Sequence, residues 1–100
     1  MNKVFLIGNL TKDPELMTTQ NGIVVCKFTI AVTRRFSQEE TDFFNIVAWK
    51  GLAETCYKFL KKGGKTAVCG SIQTRSYDDS NGNKRYVTEI VADEVQFLNS

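Results

Sequence analysis

No histidine occurs anywhere in the 100 residues, and its absence decides most of what the side chains could do. Histidine is the commonest general base, the usual partner of a nucleophilic Ser or Cys, and the nitrogen donor most metal sites use. The three cysteines, Cys26, Cys56 and Cys69, are odd in number and widely spaced, which suits neither a disulfide framework nor a zinc site. They read as small buried hydrophobes. Asp78 and Asp79 sit in DDSNGN and Glu39 and Glu40 in SQEET, where a turn and a solvated loop tip account for them. Gly63 and Gly64 follow a helix pattern and precede a strand, the reverse of the order a phosphate-binding glycine loop needs. These residues predict no catalytic group, no metal, no cofactor and no small-molecule substrate. What remains is the chemistry of flat aromatic faces placed among positive charges.

The stretch DFFNIVAWK at 42–50 carries that chemistry most plainly. Successive strand side chains point to opposite faces, so Phe43 and Phe44 cannot both enter one core. Phe44, Ile46 and Ala48 form one set, which reads as core. Phe43, Asn45, Val47 and Trp49 form the other, with an aromatic at each end and Lys50 closing the run.

The elements that position this strand follow from periodicity. Residues 3–11 are β-rich on both parities, Val4 and Leu6 on one face and Phe5 and Ile7 on the other. A barrel buries one of those faces, and the other predicts an oligomer contact. QNG at 20–22 signals a turn, and from it Cys26, Phe28, Ile30 and Val32 alternate with Lys27, Thr29, Ala31 and Thr33 in a long half-buried strand. After the 42–50 strand the period changes. Leu52, Cys56, Phe59 and Leu60 fall at helical spacing, Glu54 and Lys58 pair on another face, and KKGG ends the run. Strand character resumes at 65–77, turns at DDSNGN and returns over 84–98. Three strands, one helix and two strands predict an all-β fold, a five-stranded OB-fold Greek-key barrel with one α-helix between strands 3 and 4.

The length and a composition of 42% hydrophobic and 24% charged residues fit one domain spanning 1–100. No apolar stretch approaches the length of a membrane span or a signal peptide, which predicts no membrane contact and a cytoplasmic location.

Five collinear segments, NKVFLIGNLTKDPEL, FTIAV, TDFFNIVAWKGLAE, FLKKG and QTRSYDD with KRYVTEIVADEVQFL, resemble the bacterial single-stranded DNA-binding protein family over essentially the whole chain. The resemblance implies an OB-fold homotetramer that wraps single-stranded DNA without sequence preference in replication, recombination and repair, placed at the nucleoid. It also implies base-stacking aromatics at the end of the second strand, both ends of the third and the end of the fourth. Those positions hold Phe36, Phe43, Trp49 and Tyr77. Phe5, Phe44 and Phe59 read as structural, as do Tyr57, Tyr86 and Phe97. The formal net charge is only +2, so phosphate binding rests on clustering, and the cations beside the aromatics or in flanking hairpins are Lys3, Arg34, Arg35, Lys50, Lys62, Arg75, Lys84 and Arg85. Lys61 lies beside Lys62 in the same run.

Two departures from the family's pattern qualify these expectations. The tip SQEET is short and acidic, which predicts less extensive wrapping. Family members continue into a flexible linker and an acidic segment that recruits other enzymes, whereas these residues stop at Asn99 and Ser100, so tail-mediated partners are not expected of them. An OB module for RNA or primosome assembly, and a protein-binding scaffold with its outer aromatics covered, are the alternative readings.

Overall fold

The computed structural model describes residues 1–98. Its elements run β1 (Val4–Leu10), β2 (Glu15–Thr18), β3 (Val24–Thr33), β4 (Thr41–Trp49), α1 (Lys50–Phe59), β5 (Lys65–Asp78) and β6 (Lys84–Leu98). The five expected strands and the single helix are present, and the fold is OB-like. One strand had no counterpart in the sequence reading: β2, four residues that pair antiparallel with β3, Leu16 opposite Cys26. All four are exposed, so β2 lacks the apolar alternation that marks a strand.

The sheet runs β1-β5-β6-β4-β3-β2, and a second pairing of β1 with β3 closes it. Most of β1 lies against β5, Val4 opposite Gly70 through Asn9 opposite Lys65. Its last residues turn onto β3, with Asn9 opposite Ala31 and Leu10 opposite Ile30. The parallel β4–β6 pair, Ile46 opposite Ile90, completes the Greek key. Inside lie Leu10, Cys26, Phe28, Ile30, Ile46, Ala48, Val68 and Ile90, capped by Ala53, Cys56 and Leu60 of α1 and its end. Phe44 is half-buried against this core. Burial pushes the Cys26 thiol up to about 11 and the Cys56 thiol up to about 12, so both stay protonated and inert, whereas Cys69 is half-buried on the outer side of β5.

Two hairpin turns share one construction. In Thr19–Ile23 and Asp79–Asn83 the first N–H donates to the fifth carbonyl, and the glycine N–H donates back to the first carbonyl. Gly22 and Gly82 take φ of +82° and +79°, the left-handed residue that a three-residue hairpin loop places after its turn. At the second turn the Asp79 carboxylate also accepts from the Asn81 and Asn83 N–H groups, both at 2.9 Å, and from Arg85 Nε at 2.9 Å. The Asn83 bond first, and then Arg85, hold its carboxyl below the usual carboxylate range.

Some of the aromatics expected to be structural are exposed on the single chain, and for Phe5 that is the face expected to make an oligomer contact. Phe59 is 56% exposed and Phe5 75%, and Tyr57 and Tyr86 also face solvent. Residues three and four apart define the buried face of α1, and Ala53, Cys56 and Leu60 occupy it, leaving Phe59 at its margin.

Closure demands close backbone approach at two glycines. A Cβ on Gly8 would meet the Ala31 carbonyl oxygen at 2.5 Å, and one on Gly70 would meet that of Val91 at 2.1 Å. Gly70 marks the register shift at which β5 leaves the barrel wall. Gly8→Ala and Gly70→Ala should each lower stability in urea denaturation by about 1–3 kcal/mol, as overpacking does. Gly51→Ala, where nothing lies within 4 Å, should be neutral or slightly stabilising. A neutral Gly70→Ala would contradict the closure geometry.

Candidate nucleic-acid interface

The β-register places one set of side chains on a continuous outer face. On β4 these are Phe43, Asn45, Val47 and Trp49, opposite Ala31, Thr29, Lys27 and Val25 of β3. The face continues onto β6 through Val47 beside Val91. From there it reaches β5, where Ser71, Gln73, Arg75 and Tyr77 stand opposite Val91, Glu89, Val87 and Arg85. Phe43, Trp49, Arg75 and Tyr77 thus share one surface. Phe43 is 65% exposed, Tyr77 47% and Trp49 42%. Phe36 lies in the β3–β4 loop at 92% exposure, with the Arg35 guanidinium 5.3 Å from its ring centre.

Beside Trp49 runs a groove of about 470 Å³ lined by Val25, Val47 and Val91 together with Lys27, Arg75 and Glu89; of the four aromatics only Trp49 lines it. Val25 and Val47 are buried although their parity is outward, and Met17, Thr18 and Thr19 of the β2–β3 hairpin form a wall of the same groove. The sequence reading missed this wall and Glu89. The QNG turn was the available signal, since a hairpin turn requires a strand on each side.

At the β4–α1 junction, Trp49 ends the strand with extended backbone and serves as the helix N-cap without a side-chain hydrogen bond. Lys50 then adopts φ +59°, alone among the described non-glycine residues. This left-handed turn costs about 1–2 kcal/mol for an L-residue, and it comes directly between the strand that carries Trp49 and the body of α1.

The eight expected cations fall into two groups. Arg34 is bound by carboxylates: Nε and Nη2 donate to Asp42 at 2.9 and 3.1 Å, and Nη1 donates to Glu40 at 2.7 Å. The hydrogen bond from Arg34 holds the Asp42 carboxyl below its usual range and raises Arg34 in return. Arg75 Nε donates to Glu89 at 3.1 Å, a bond that raises the Arg75 pKa. Arg85 is held by Asp79 at 2.9 Å, and Lys3 reaches Asp93 at 3.3 Å. Arg35, Lys50, Lys62 and Lys84 make no ion pair among the described residues. Position divides them differently. Arg34 and Arg35 flank Phe36, Lys50 follows Trp49, and Arg75 and Arg85 share the Tyr77 face. Lys84 stands opposite Asp78 on the other parity. Lys62 sits beyond α1, where its N–H donates to Asp13 at 2.9 Å, and Lys3 is at the β6 bulge. The last three are not brought to the groove.

Comparison with known proteins gives one answer. The profile of the single-strand binding protein family matches residues 1–98. A single-stranded DNA-binding protein of Caldanaerobacter subterraneus subsp. tengcongensis is 53% identical over 98% of this chain and 68% of its own length. Single-stranded DNA-binding protein 3 of Clostridium acetobutylicum is 57% identical over 98% and 71%. Single-stranded DNA-binding protein 1 of Staphylococcus aureus is 48% identical over 98% and 65%.

The strain at Lys50 is open to test. Lys50→Gly should hold or raise the urea midpoint, because relief of about 1–2 kcal/mol outweighs the roughly 0.5–1 kcal/mol that glycine costs through the unfolded chain. Lys50→Val should lower it. A midpoint that falls for Lys50→Gly would contradict the left-handed geometry.

Proposed function

The chain belongs to the single-strand binding protein family, and from that membership we propose that it binds and protects single-stranded DNA, without regard to sequence, in replication, recombination and repair. The observation that carries the reading is the shared outer face of β3, β4, β6 and β5, on which Phe43, Trp49 and Tyr77 stand exposed, with an apolar-lined groove beside Trp49. Every base has a flat π-face, so aromatic platforms hold a strand without reading it, at roughly 1–3 kcal/mol per stacked base. Phe36 adds a fourth platform at the loop. The protein is a binding protein and not an enzyme.

Phosphates are the second half of the interaction. Lys3, Arg34, Arg35, Lys50, Lys62, Arg75, Lys84 and Arg85 are the proposed contacts, in two energetic classes. A phosphate that meets Lys50 or Arg35 displaces only counterions. One that meets Arg34 or Arg75 must compete with a carboxylate already hydrogen-bonded to the guanidinium, so its gain is smaller.

Phe43, Trp49 and Phe44 separate platform from core. Phe43→Ala and Trp49→Ala should each weaken binding to poly(dT) by about 1–3 kcal/mol and leave the fold nearly as stable. Phe44→Ala should cost about 2 kcal/mol of stability, below the range for a fully buried Phe, and spare binding in the folded protein. Trp49 is the only tryptophan, and its fluorescence should be quenched as poly(dT) is added. Unchanged fluorescence at saturating DNA would defeat the stacking reading.

A homotetramer is proposed from the other side of the barrel. Phe5 and Ile7 project from β1 beside Cys69 and Ala67 of β5, and Phe5 is the more exposed of the two. Residues 4–8 of β1 pair with β5 on one side only. An unpaired edge and an apolar face are two different self-complementary surfaces. Edge pairing makes a dimer, and packing the apolar faces of two dimers makes four copies. Sedimentation equilibrium should show a tetramer that Phe5→Asp reduces to a dimer. A wild-type monomer at micromolar concentration would overturn the assignment.

A further inference from the structure

Beyond Gly70 the β5–β6 hairpin runs on as a two-stranded arm. From Gln73 opposite Glu89 to Asp78 opposite Lys84, its strands pair only with each other among the described residues, and Ile72 through Asp78 is exposed throughout. The ion pairs Arg75–Glu89 and Arg85–Asp79 likewise join the arm to itself. At its root β6 is held by β4, Ile46 opposite Ile90 and Val47 opposite Val91. The other strand, β5, loses its neighbour where the β1 ladder stops, at Val4 opposite Gly70. Just beyond, the Asn2 side chain takes over. Its Nδ2 donates to the Ile72 carbonyl at 2.7 Å, and its Oδ1 accepts from the Ile72 N–H at 2.9 Å. One side-chain amide thus supplies both the donor and the acceptor of a backbone pair, at the next position where an antiparallel ladder exchanges bonds. Lys3 meets the other strand. Its ammonium lies 3.3 Å from Asp93, the residue left without a partner between Ala92, opposite Gly70, and Glu94, opposite Cys69.

We propose that Asn2 is a positioning residue for DNA binding: its amide clamps the root of the arm and so sets where Arg75, Tyr77 and Arg85 stand relative to Phe43 and Trp49. The inference rests on the single-strand reading above, and Asn2 itself touches no DNA. A bulge bends and twists the strand that carries it, so the register shift at Gly70 is a natural pivot for everything beyond it. With Asn2 in place, β5 is held on both sides of that pivot. Without it, only β4 orients the arm, and it acts through β6 alone. The lever is long. Tyr77 lies about 17 Å past Ile72 at about 3.4 Å per residue, so a tilt of about 10° at the root moves its ring by about 3 Å. That is enough to part a ring from a base stacked on it. Lys3 and Asp93 add an exposed ion pair at the same pivot, weaker because both ends stand half in solvent. This gives Lys3 a role although it lies away from the groove.

The experiment measures poly(dT) affinity for Asn2→Ala and Asn2→Asp, each in the wild-type chain and in Tyr77→Ala, together with amide hydrogen exchange along the arm. Asn2→Ala should weaken binding about three- to tenfold, the range that ordering one side chain on binding costs, while the urea midpoint holds. In Tyr77→Ala the same change should cost less than about twofold, because positions that act through one another are not additive. Asn2→Asp keeps the shape and the acceptor but cannot donate to the Ile72 carbonyl, and it should follow Asn2→Ala. Amides of 73–78 and 84–89 should exchange faster in both variants, and those of β3 and β4 at the wild-type rate. Where Tyr77→Ala weakens binding, equal losses from Asn2→Ala in both backgrounds, or none in the wild-type chain, overturn the proposal. Unchanged exchange in the arm overturns it too, as does wild-type behaviour from Asn2→Asp. So does altered sedimentation of the variants, which would assign Asn2 to an interface between copies. If Tyr77→Ala alone leaves affinity unchanged, the platform reading of Tyr77 falls instead, and the exchange rates decide on the clamp.

Discussion

Closure of the sheet through the two-sided pairing of β1 is the constraint from which the other features follow. A closed barrel has one interior, and strand alternation gives each residue one of two fates. With β1 bonded to β5 along most of its length and to β3 at its end, the interior takes one parity from every strand. The other parity must face outward, whatever its chemistry. Gly8 and Gly70 permit the closure because a side chain on either would occupy the space of a backbone carbonyl. An outward aromatic is then a consequence of register. Phe43 is outside because Phe44 is inside.

The outer surface is divided electrostatically as well as by face. Three arginines of the outer face and its β3–β4 end are matched: Arg34 with Asp42 and Glu40, Arg75 with Glu89, Arg85 with Asp79. These pairs are solvent-exposed on the arginine side, where a pair typically adds about 0–1 kcal/mol to stability. Their larger effect is on geometry, since each fixes a long side chain that would otherwise sample many rotamers. The result is a surface on which three arginines are held in place, while Lys27 in the groove and Lys50 beside Trp49 make no ion pair among the described residues. A formal charge of +2 conceals that unevenness.

The sequence showed what depends on period and missed what depends on register. The parity of 42–50 and the apolar set on both faces of 3–11 were legible because alternation by twos needs no partner strand. β2 was not, since Glu15–Thr18 shows no buried face and exists only through its hydrogen bonds to β3. The ion pairs of Arg34, Arg75 and Arg85 escaped for a related reason: each joins two arms of a hairpin, 6 to 14 residues apart in sequence, and only the register decides which charges meet. Phe59 misled because it follows Cys56 at i+3, a spacing that normally marks one buried stripe. The helix ends at that residue, where Phe97 and the Lys58 ammonium approach the ring but leave Phe59 more than half exposed. The left-handed turn at Lys50 had no signal, because glycine, the residue that would announce it, comes one position later.

Exposure also bears on how much each proposed platform contributes. Stacking a base on an aromatic ring gains the same dispersion and desolvation wherever the ring sits, but the ring must first be held still. Trp49 is the least exposed of the four, and its strand neighbour Val25 is buried beside it, so much of its ordering is complete before DNA arrives. Phe36, almost wholly exposed in a loop and touched by Arg35, still has its ordering ahead of it, at about 0.5–1.5 kcal/mol for a side chain immobilised on binding. That is comparable with the lower end of what one stacked base returns. If these residues stack bases as proposed, they rank by how firmly the barrel holds them, Trp49 above Tyr77 and Phe43, and those above Phe36. On that reading the fold tunes affinity through how much of each ring it has already restrained.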